Sequence, residues 1–316
     1  MIRSVFGKYL NYAFCDRAQN VSVRVMERPG LWLSDEELAA LVEDLRTIVK
    51  ISIPNESLDY GVLTGTREAL SRAVITLICD SKTKEPLAFN ALAYMPCTLR
   101  GRPVDVLHLG LVVVSPKRRE GGFSWILYGL TSMLLFLRSR LRPLWVSNVT
   151  QVPAIIGKVT ESFNEVFPTP DKDQRATFDH VMLARQIMSK HRSVFGVGAD
   201  ADFDEERFVI TNAYTGGSDH LKKKFEQAQA HRNSVYNEFC RQNLDYDRGD
   251  DFLQLGKMDV AATQKYLTRS VPAKSMVAVS LSLVVVGIQG LLLPIVGWFD
   301  YRRHQGRSVR GTKSSI

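Results

Sequence analysis

Apolar and polar residues alternate from Val21 to Met26 as in a half-buried strand, and Pro29-Gly30 closes the run. The period then changes. Leu38, Leu41, Val42, Leu45, Ile48 and Val49 recur at helical spacing behind Ser34 and Glu37, which together form a capping box, so an amphipathic helix with one buried stripe is expected here. A polar, turn-rich stretch runs to about Arg72. Ala73–Cys79 and Leu87–Met95 read as strands joined by the polar loop Asp80–Pro86, and the Arg100-Gly101-Arg102-Pro103 turn leads into a fourth strand, Val104–Val114. The mostly apolar run Phe123–Leu141 reads as a helix buried against a sheet and stopped by Pro143. Leu144–Val149 is a short fifth strand, and Val152–Phe163, with Pro153 in its first turn, is a further helix. Consecutive antiparallel strands followed by a single β-α-β crossover imply an α/β fold, with helices on the faces of a mixed, mostly antiparallel sheet.

Beyond Pro168 the expected elements are a helix at His180–Lys190, a strand at Arg207–Tyr214 and a long amphipathic helix at Ser218–Asn243. That helix would turn Leu221, Phe225, Ala228, Val235, Tyr236 and Phe239 inward, and Leu244–Ala273 would be a polar connector. Ser275–Phe299 then holds 25 residues without a charge. At about 1.5 Å per residue such a helix exceeds the roughly 30 Å hydrocarbon core, so a membrane segment is expected, with Lys274 and Trp298, Tyr301 and Arg302 as interfacial anchors. Two topologies are open: a single tail-anchored span, or a re-entrant hairpin broken at Gly287-Ile288-Gln289-Gly290 and Pro294. The chain thus divides into residues 1–168, an α/β extension and connector at 169–273, a membrane segment at 274–301 and a basic tail at 302–316.

The formal charge of +8 is partly concentrated in that tail, where Arg302, Arg303, Arg307, Arg310 and Lys313 face only Asp300. This points to a membrane surface. Nucleic acid is disfavoured, because no element interleaves aromatics with a basic stripe. Cys15, Cys79, Cys97 and Cys240 form no C-x-x-C pair and accompany no histidine cluster, which argues against a metal site or a disulfide framework. Charges break every apolar run near the N-terminus, so no secretory signal is expected and the main domain is placed on the cytosolic side.

The segment Val112-Val113-Val114-Ser115-Pro116-Lys117-Arg118-Arg119-Glu120-Gly121-Gly122-Phe123-Ser124 carries the candidate chemistry. A strand passes through a basic turn with paired glycines into a helix, whose free N–H groups and dipole favour an anion. This order of elements and this turn resemble the GNAT superfamily of N-acetyltransferases. There a V-x-P at the end of the fourth strand precedes Q/R-x-x-G-x-G/A, whose amides hold the pyrophosphate of acetyl-CoA. Val114-Ser115-Pro116 matches the first part; Arg119 and Gly122 match the second, while Ser124 replaces the final Gly or Ala. The resemblance covers roughly residues 20–168. It implies acetyl-CoA or a longer acyl-CoA as co-substrate, cofactor contacts at Val112, Val114, Arg118, Arg119, Glu120, Gly121, Gly122, Phe123 and Ser124, and fourth and fifth strands that splay apart with Asn148 facing the gap.

Acyl transfer to an amine needs a base for the incoming ammonium and an acid for the departing thiolate. Simple alternation puts His108 on the face of Gly110, Val112 and Val114, and its ordinary pKa suits a base. The family's N-x-x-A-x-x-x-Y pattern is nearest to Gln151-Val152-Pro153-Ala154-Ile155-Ile156-Gly157-Lys158, with Lys158 in the place of the tyrosine acid. Tyr128 and Ser124 are alternatives. The expected function is a membrane-anchored acyl-CoA-dependent N-acyltransferase acting on an amine-bearing small molecule or protein. The departures at Ser124 and Lys158 keep open a non-catalytic acyl-CoA-binding or protein-interaction module. A lipid-binding scaffold with a basic tail is a third reading.

Overall fold

A computed structural model describes residues 7–53, 58–118, 123, 125–216 and 218–270. Two strands open the sheet as a hairpin, β1 (Asn11–Asp16) and β2 (Val21–Glu27), in register from Asn11↔Met26 to Asp16↔Val21. β1 lies at the sheet edge with no fully buried residue, so no hydrophobic pattern announced it. α1 (Asp35–Ser52) follows, and the expected capping box is formed. Ser34 Oγ accepts the Glu37 N–H at 3.2 Å, and the Glu37 carboxylate accepts the Ser34 N–H at 3.0 Å. The apolar stripe of α1 is buried along its whole length, with Leu45 and Ile48 fully inaccessible.

The stretch up to Arg72 contains a short helix, α2 (Arg67–Arg72), capped by Thr66. It leads into the meander β3 (Ala73–Asp80), β4 (Pro86–Leu99) and β5 (Arg102–Val114). The following helix begins as a π-helical turn, Trp125–Leu130, and continues as α3 (Thr131–Arg138). Asn90 donates to the Leu127 carbonyl, and the buried Thr131 hydroxyl donates to the Ile126 carbonyl at 3.3 Å, so side chains serve two carbonyls of the widened turn. Next come β6 (Leu144–Thr150), α4 (Pro153–Ser162), β7 (Asn164–Phe167) and α5 (Phe178–Lys190), then β8 (Asp202–Asp204), β9 (Val209–Thr211), α6 (Ser234–Asn243), β10 (Asp251–Met258) and α7 (Val260–Ser270).

Two expectations are corrected. The helix expected over Ser218–Asn243 is confined to α6, preceded by single 3-10 turns at Asp219–Leu221 and Phe225–Gln227, and Val235 is 53% exposed rather than inward. Apolar residues in this stretch pack from separate turns: Leu221 against the core beneath α1, Phe225 and Ala228 against the cluster around α6. The supposed connector Leu244–Ala273 contains β10, which is buried at seven of its eight positions and lies inside the sheet. Its polar residues misled because each has a partner: Asp251 takes the Tyr214 hydroxyl, Gln254 the Asn148 amide, and Lys257 pairs with Glu165.

The ten strands of the described residues form one sheet in the order β1-β2-β3-β4-β5-β6-β10-β9-β8, with β7 also pairing β10. Among the described residues every pairing is antiparallel except β5 with β6. The fold is therefore mixed α/β with a largely antiparallel sheet. Phe89, Ala91, Met95 and Cys97, on one face of β4, join the cores under α1 and α5, so these helices cover the same face. Asn90 and Gln254, which meet Leu127 and Thr160, turn the opposite face toward the π-helical turn and α4. No helix among the described residues is long and apolar enough to cross a membrane, and the expected segment Ser275–Phe299 lies outside them.

Candidate functional site

The parallel contact between β5 and β6 is three residues long: Val106↔Trp145, Leu107↔Val146 and His108↔Ser147. Past it the strands part. β6 stays with β10 as far as Thr150↔Phe252, and β5 stays with β4 from Leu111↔Ala91 to Val114↔Ala88, leaving a wedge that opens toward the C-terminal ends of both strands. A β-bulge sits where the parting begins. Leu109 and Gly110 stand opposite Leu92 alone, and a Cβ on Gly110 would strike the Ala91 carbonyl oxygen, so only glycine fits. The divergence expected from the family resemblance is thus built into the pairing register.

The extra residue also resets the faces of β5. His108 pairs with Ala93 and Leu111 with Ala91, so His108 shares a face with Leu111 and Val113, while Val112 and Val114 occupy the other face with Asn90 and Ala88. Simple alternation had placed His108 with Val112 and Val114; the bulge is the physical reason it fails. His108 stands at the vertex of the wedge. It is 4% exposed, its Nδ1 is 3.1 Å from Ser147 Oγ, and its ring lies 5.1 Å from that of Phe195. Burial pushes its pKa down to about 4, so the ring is neutral at physiological pH.

Lys158 projects from α4, and its Nζ sits 4.3 Å from the Tyr128 ring centroid. The contact joins the helix that follows β6 to the π-helical turn that follows β5, bringing together two of the residues considered as the acid. Burial lowers the Lys158 pKa. Asn148 is directed elsewhere: its Nδ2 donates to Gln254 Oε1 at 3.3 Å, and Gln254 in turn donates to the Pro168 carbonyl at 3.1 Å. Both lie on the α4 face of the sheet, a buried polar tie between β6 and β10.

At the end of β5, Ser115 N–H donates to the Leu87 carbonyl at 2.8 Å and Pro116–Arg118 forms a single 3-10 turn. The Arg118 guanidinium is 3.7 Å from Asp80, the last residue of β3. Asp80 is held below the usual carboxylate range, first by the Thr83 and Lys82 amides and last by Arg118. Phe123 is buried, whereas Arg119, Glu120, Gly121, Gly122 and Ser124 lie outside the described residues.

A second polar group at the wedge end of the sheet escaped the sequence reading. Gln151 directly follows β6, and its carbonyl accepts the Tyr246 hydroxyl at 2.7 Å. On the neighbouring β10, Asp251 takes the Tyr214 hydroxyl at 2.8 Å, and burial raises this carboxyl to about 7. Tyr60 is pushed up to about 12 by burial and then by Asp251. Nothing local in the sequence marks this group, because its members come from four separate segments.

No protein-family model matches the chain, and no curated protein is similar to it in sequence. Among solved structures, a Trypanosoma brucei acetyltransferase is 18% identical over 38% of this chain and 72% of its own, with a TM-score of 0.21. A probable N-acyltransferase from Enterococcus faecalis is 12% identical over 55% of this chain and 45% of its own, with a TM-score of 0.32. Saccharomyces cerevisiae N-myristoyltransferase with bound myristoyl-CoA is 9% identical over 66% of this chain and 53% of its own, with a TM-score of 0.21. This chain spans about half the length of the last two. At these TM-scores none of the three bears on function.

Proposed function

We propose that the protein is an acyl-CoA-dependent N-acyltransferase of GNAT type, anchored to a membrane through Ser275–Phe299 with its main domain cytosolic. Its co-substrate is acetyl-CoA or a longer acyl-CoA, and its acceptor is an amine on a small molecule or a protein. The observation that carries this reading is the wedge between β5 and β6. Beyond Leu109 the edge of β5 turned away from β4 has no ladder partner among the described residues, and a pantetheine arm carries amides suited to such an edge. A bound thioester supplies the acyl group; the chain's residues bind it and handle protons.

Val112 to Val114 offer the backbone edge. His108, at the vertex, is the proposed proton acceptor for the ammonium; it is neutral, as a base must be, and Ser147 fixes its ring. Lys158, with its lowered pKa, is the proposed donor to the thiolate. The near-complete burial of His108 favours a second reading, a module that binds acyl-CoA without turnover. Calorimetric titration of acetyl-CoA and longer acyl-CoAs into the full chain, repeated with Gly122→Trp, tests the first step. Heat from the wild type alone is expected, and no binding by the wild type removes both readings. Thiol release with a panel of amines, alongside His108→Ala, then separates enzyme from module.

A further inference from the structure

At the end opposite the wedge, β4 passes to β5 through Arg100-Gly101-Arg102-Pro103, and α3 passes to β6 through residues 139–143. β5 and β6 are parallel neighbours, so both turns hang from the same end of the sheet. Arg100, Arg102, Arg140, Leu141 and Arg142 are all exposed. Carboxylates around this end are already engaged: Glu27 with Arg138 at 2.8 Å, Asp105 with Arg28 at 3.3 Å, Asp179 with Arg100 at 3.0 Å and Glu165 with Lys257 at 2.6 Å. Asp259 is bonded to the Asn164 amide at 2.9 Å and to the Ala262 N–H at 2.8 Å. Arg102, Arg140 and Arg142 have no acidic partner among the described residues.

The second turn is held in shape. Ser139 Oγ lies 2.7 Å from the Phe136 carbonyl oxygen and 3.0 Å from that of Arg142, and Leu141 N–H donates to Phe136 at 3.1 Å. Arg140 and Leu141 take left-handed φ values of 58° and 59°, and Leu141 is 51% exposed between its two arginines. An apolar side chain flanked by cations suits the boundary between acyl chains and phosphate headgroups. Strand β10 also ends here. β10 finishes with Met258 opposite Leu144, next to Pro143, and α7 begins with Val260, which is 59% exposed. Four residues then separate Ser270 from the uncharged run Ser275–Phe299.

We infer that this end of the sheet docks on the anionic surface of the membrane that Ser275–Phe299 enters, with Leu141 at the acyl boundary and Arg102, Arg140 and Arg142 on lipid phosphates. The inference rests on the anchoring half of the proposed function and is independent of acyl-CoA. It also narrows the acceptor. From Arg102, β5 rises about 23 Å to Leu109 and about 40 Å to Val114 at roughly 3.3 Å per residue, so the wedge opens well away from the bilayer. The amine therefore belongs to a water-soluble molecule or a polypeptide, not to a lipid headgroup.

The test uses the full chain reconstituted into vesicles of phosphatidylcholine, with or without phosphatidylserine. A photoreactive benzoylphenylalanine is placed at position 141 or, as a control at the opposite end, at the exposed position 82. Lipid adducts are expected at 141 and not at 82, more in the phosphatidylserine vesicles. The triple variant Arg102→Glu, Arg140→Glu, Arg142→Glu should lower the yield at 141 by at least about fivefold while the chain still floats with the vesicles. Flotation with equal yields at 141 and 82 overturns the docking and leaves the anchor intact. Failure to float overturns both. Equal yields at 141 in the two vesicle types, or no effect of the triple variant, overturns the electrostatic recognition.

Discussion

Asp251→Asn isolates a buried ionisation at the wedge end of the sheet. Asp251 is 4% exposed, and burial raises its carboxyl from the ordinary 3.8 to about 7, with the Tyr214 hydrogen bond opposing and Asp250 adding to the rise. Between those two values the folded protein keeps a proton that the unfolded chain has lost. The stabilisation is complete below the unfolded pKa, falls as pH rises toward 7 and is gone above it. A shift of about three units at about 1.4 kcal/mol each amounts to a loss on the order of 4 kcal/mol across the window. Asparagine cannot ionise. Urea unfolding followed by circular dichroism, at intervals from about pH 4 to pH 8, should therefore show Asp251→Asn gaining on the wild type by that amount as pH rises. Other carboxylates titrate in both proteins and cancel in the difference. A wild-type-minus-variant difference that stays flat with pH would refute the buried, protonated Asp251.

Three further outcomes follow from the packing. Thr131 sits between Thr76, at 2.6 Å, and the Ile126 carbonyl, so Thr131→Val strands two polar groups and should cost about 1–3 kcal/mol, whereas Thr76→Val should cost less; denaturant midpoints that rank the other way contradict this. Gly110→Val drives a side chain into the Ala91 carbonyl and should destabilise by at least about 1–3 kcal/mol, with weaker acyl-CoA binding in titrations of the folded fraction. Leu45→Ala empties a fully buried position in the stripe of α1 and should cost about 2–5 kcal/mol by thermal unfolding.

The elements most legible in the sequence were those specified locally. The Ser34–Glu37 box and the stripe ending at Val49 needed only neighbouring residues, and α1 follows them closely. The strands from Ala73 to Val114 were equally plain, because continuous apolar runs bounded by turn residues admit few alternatives. Long-range pairing was not legible. Whether the polar residues of β10 are buried depends on partners at Asn148, Glu165 and Tyr214, which nothing at Leu244–Ala273 announces. The face of His108 depends on one extra residue at Leu109-Gly110, which inverts every side chain beyond it. The wedge itself was expected from the resemblance to a family, and the pairing register supplies its cause. The Asp251 group had no sequence signal at all.

Hydrogen exchange of the full chain, read by mass spectrometry with and without a non-hydrolysable acyl-CoA, tests the central claim most directly. If the wedge holds the pantetheine arm, amides of Leu109–Val114 exchange more slowly with ligand, while the outer hairpin of β1 and β2 is unaffected. Binding without added protection at Leu109–Val114 would contradict the account.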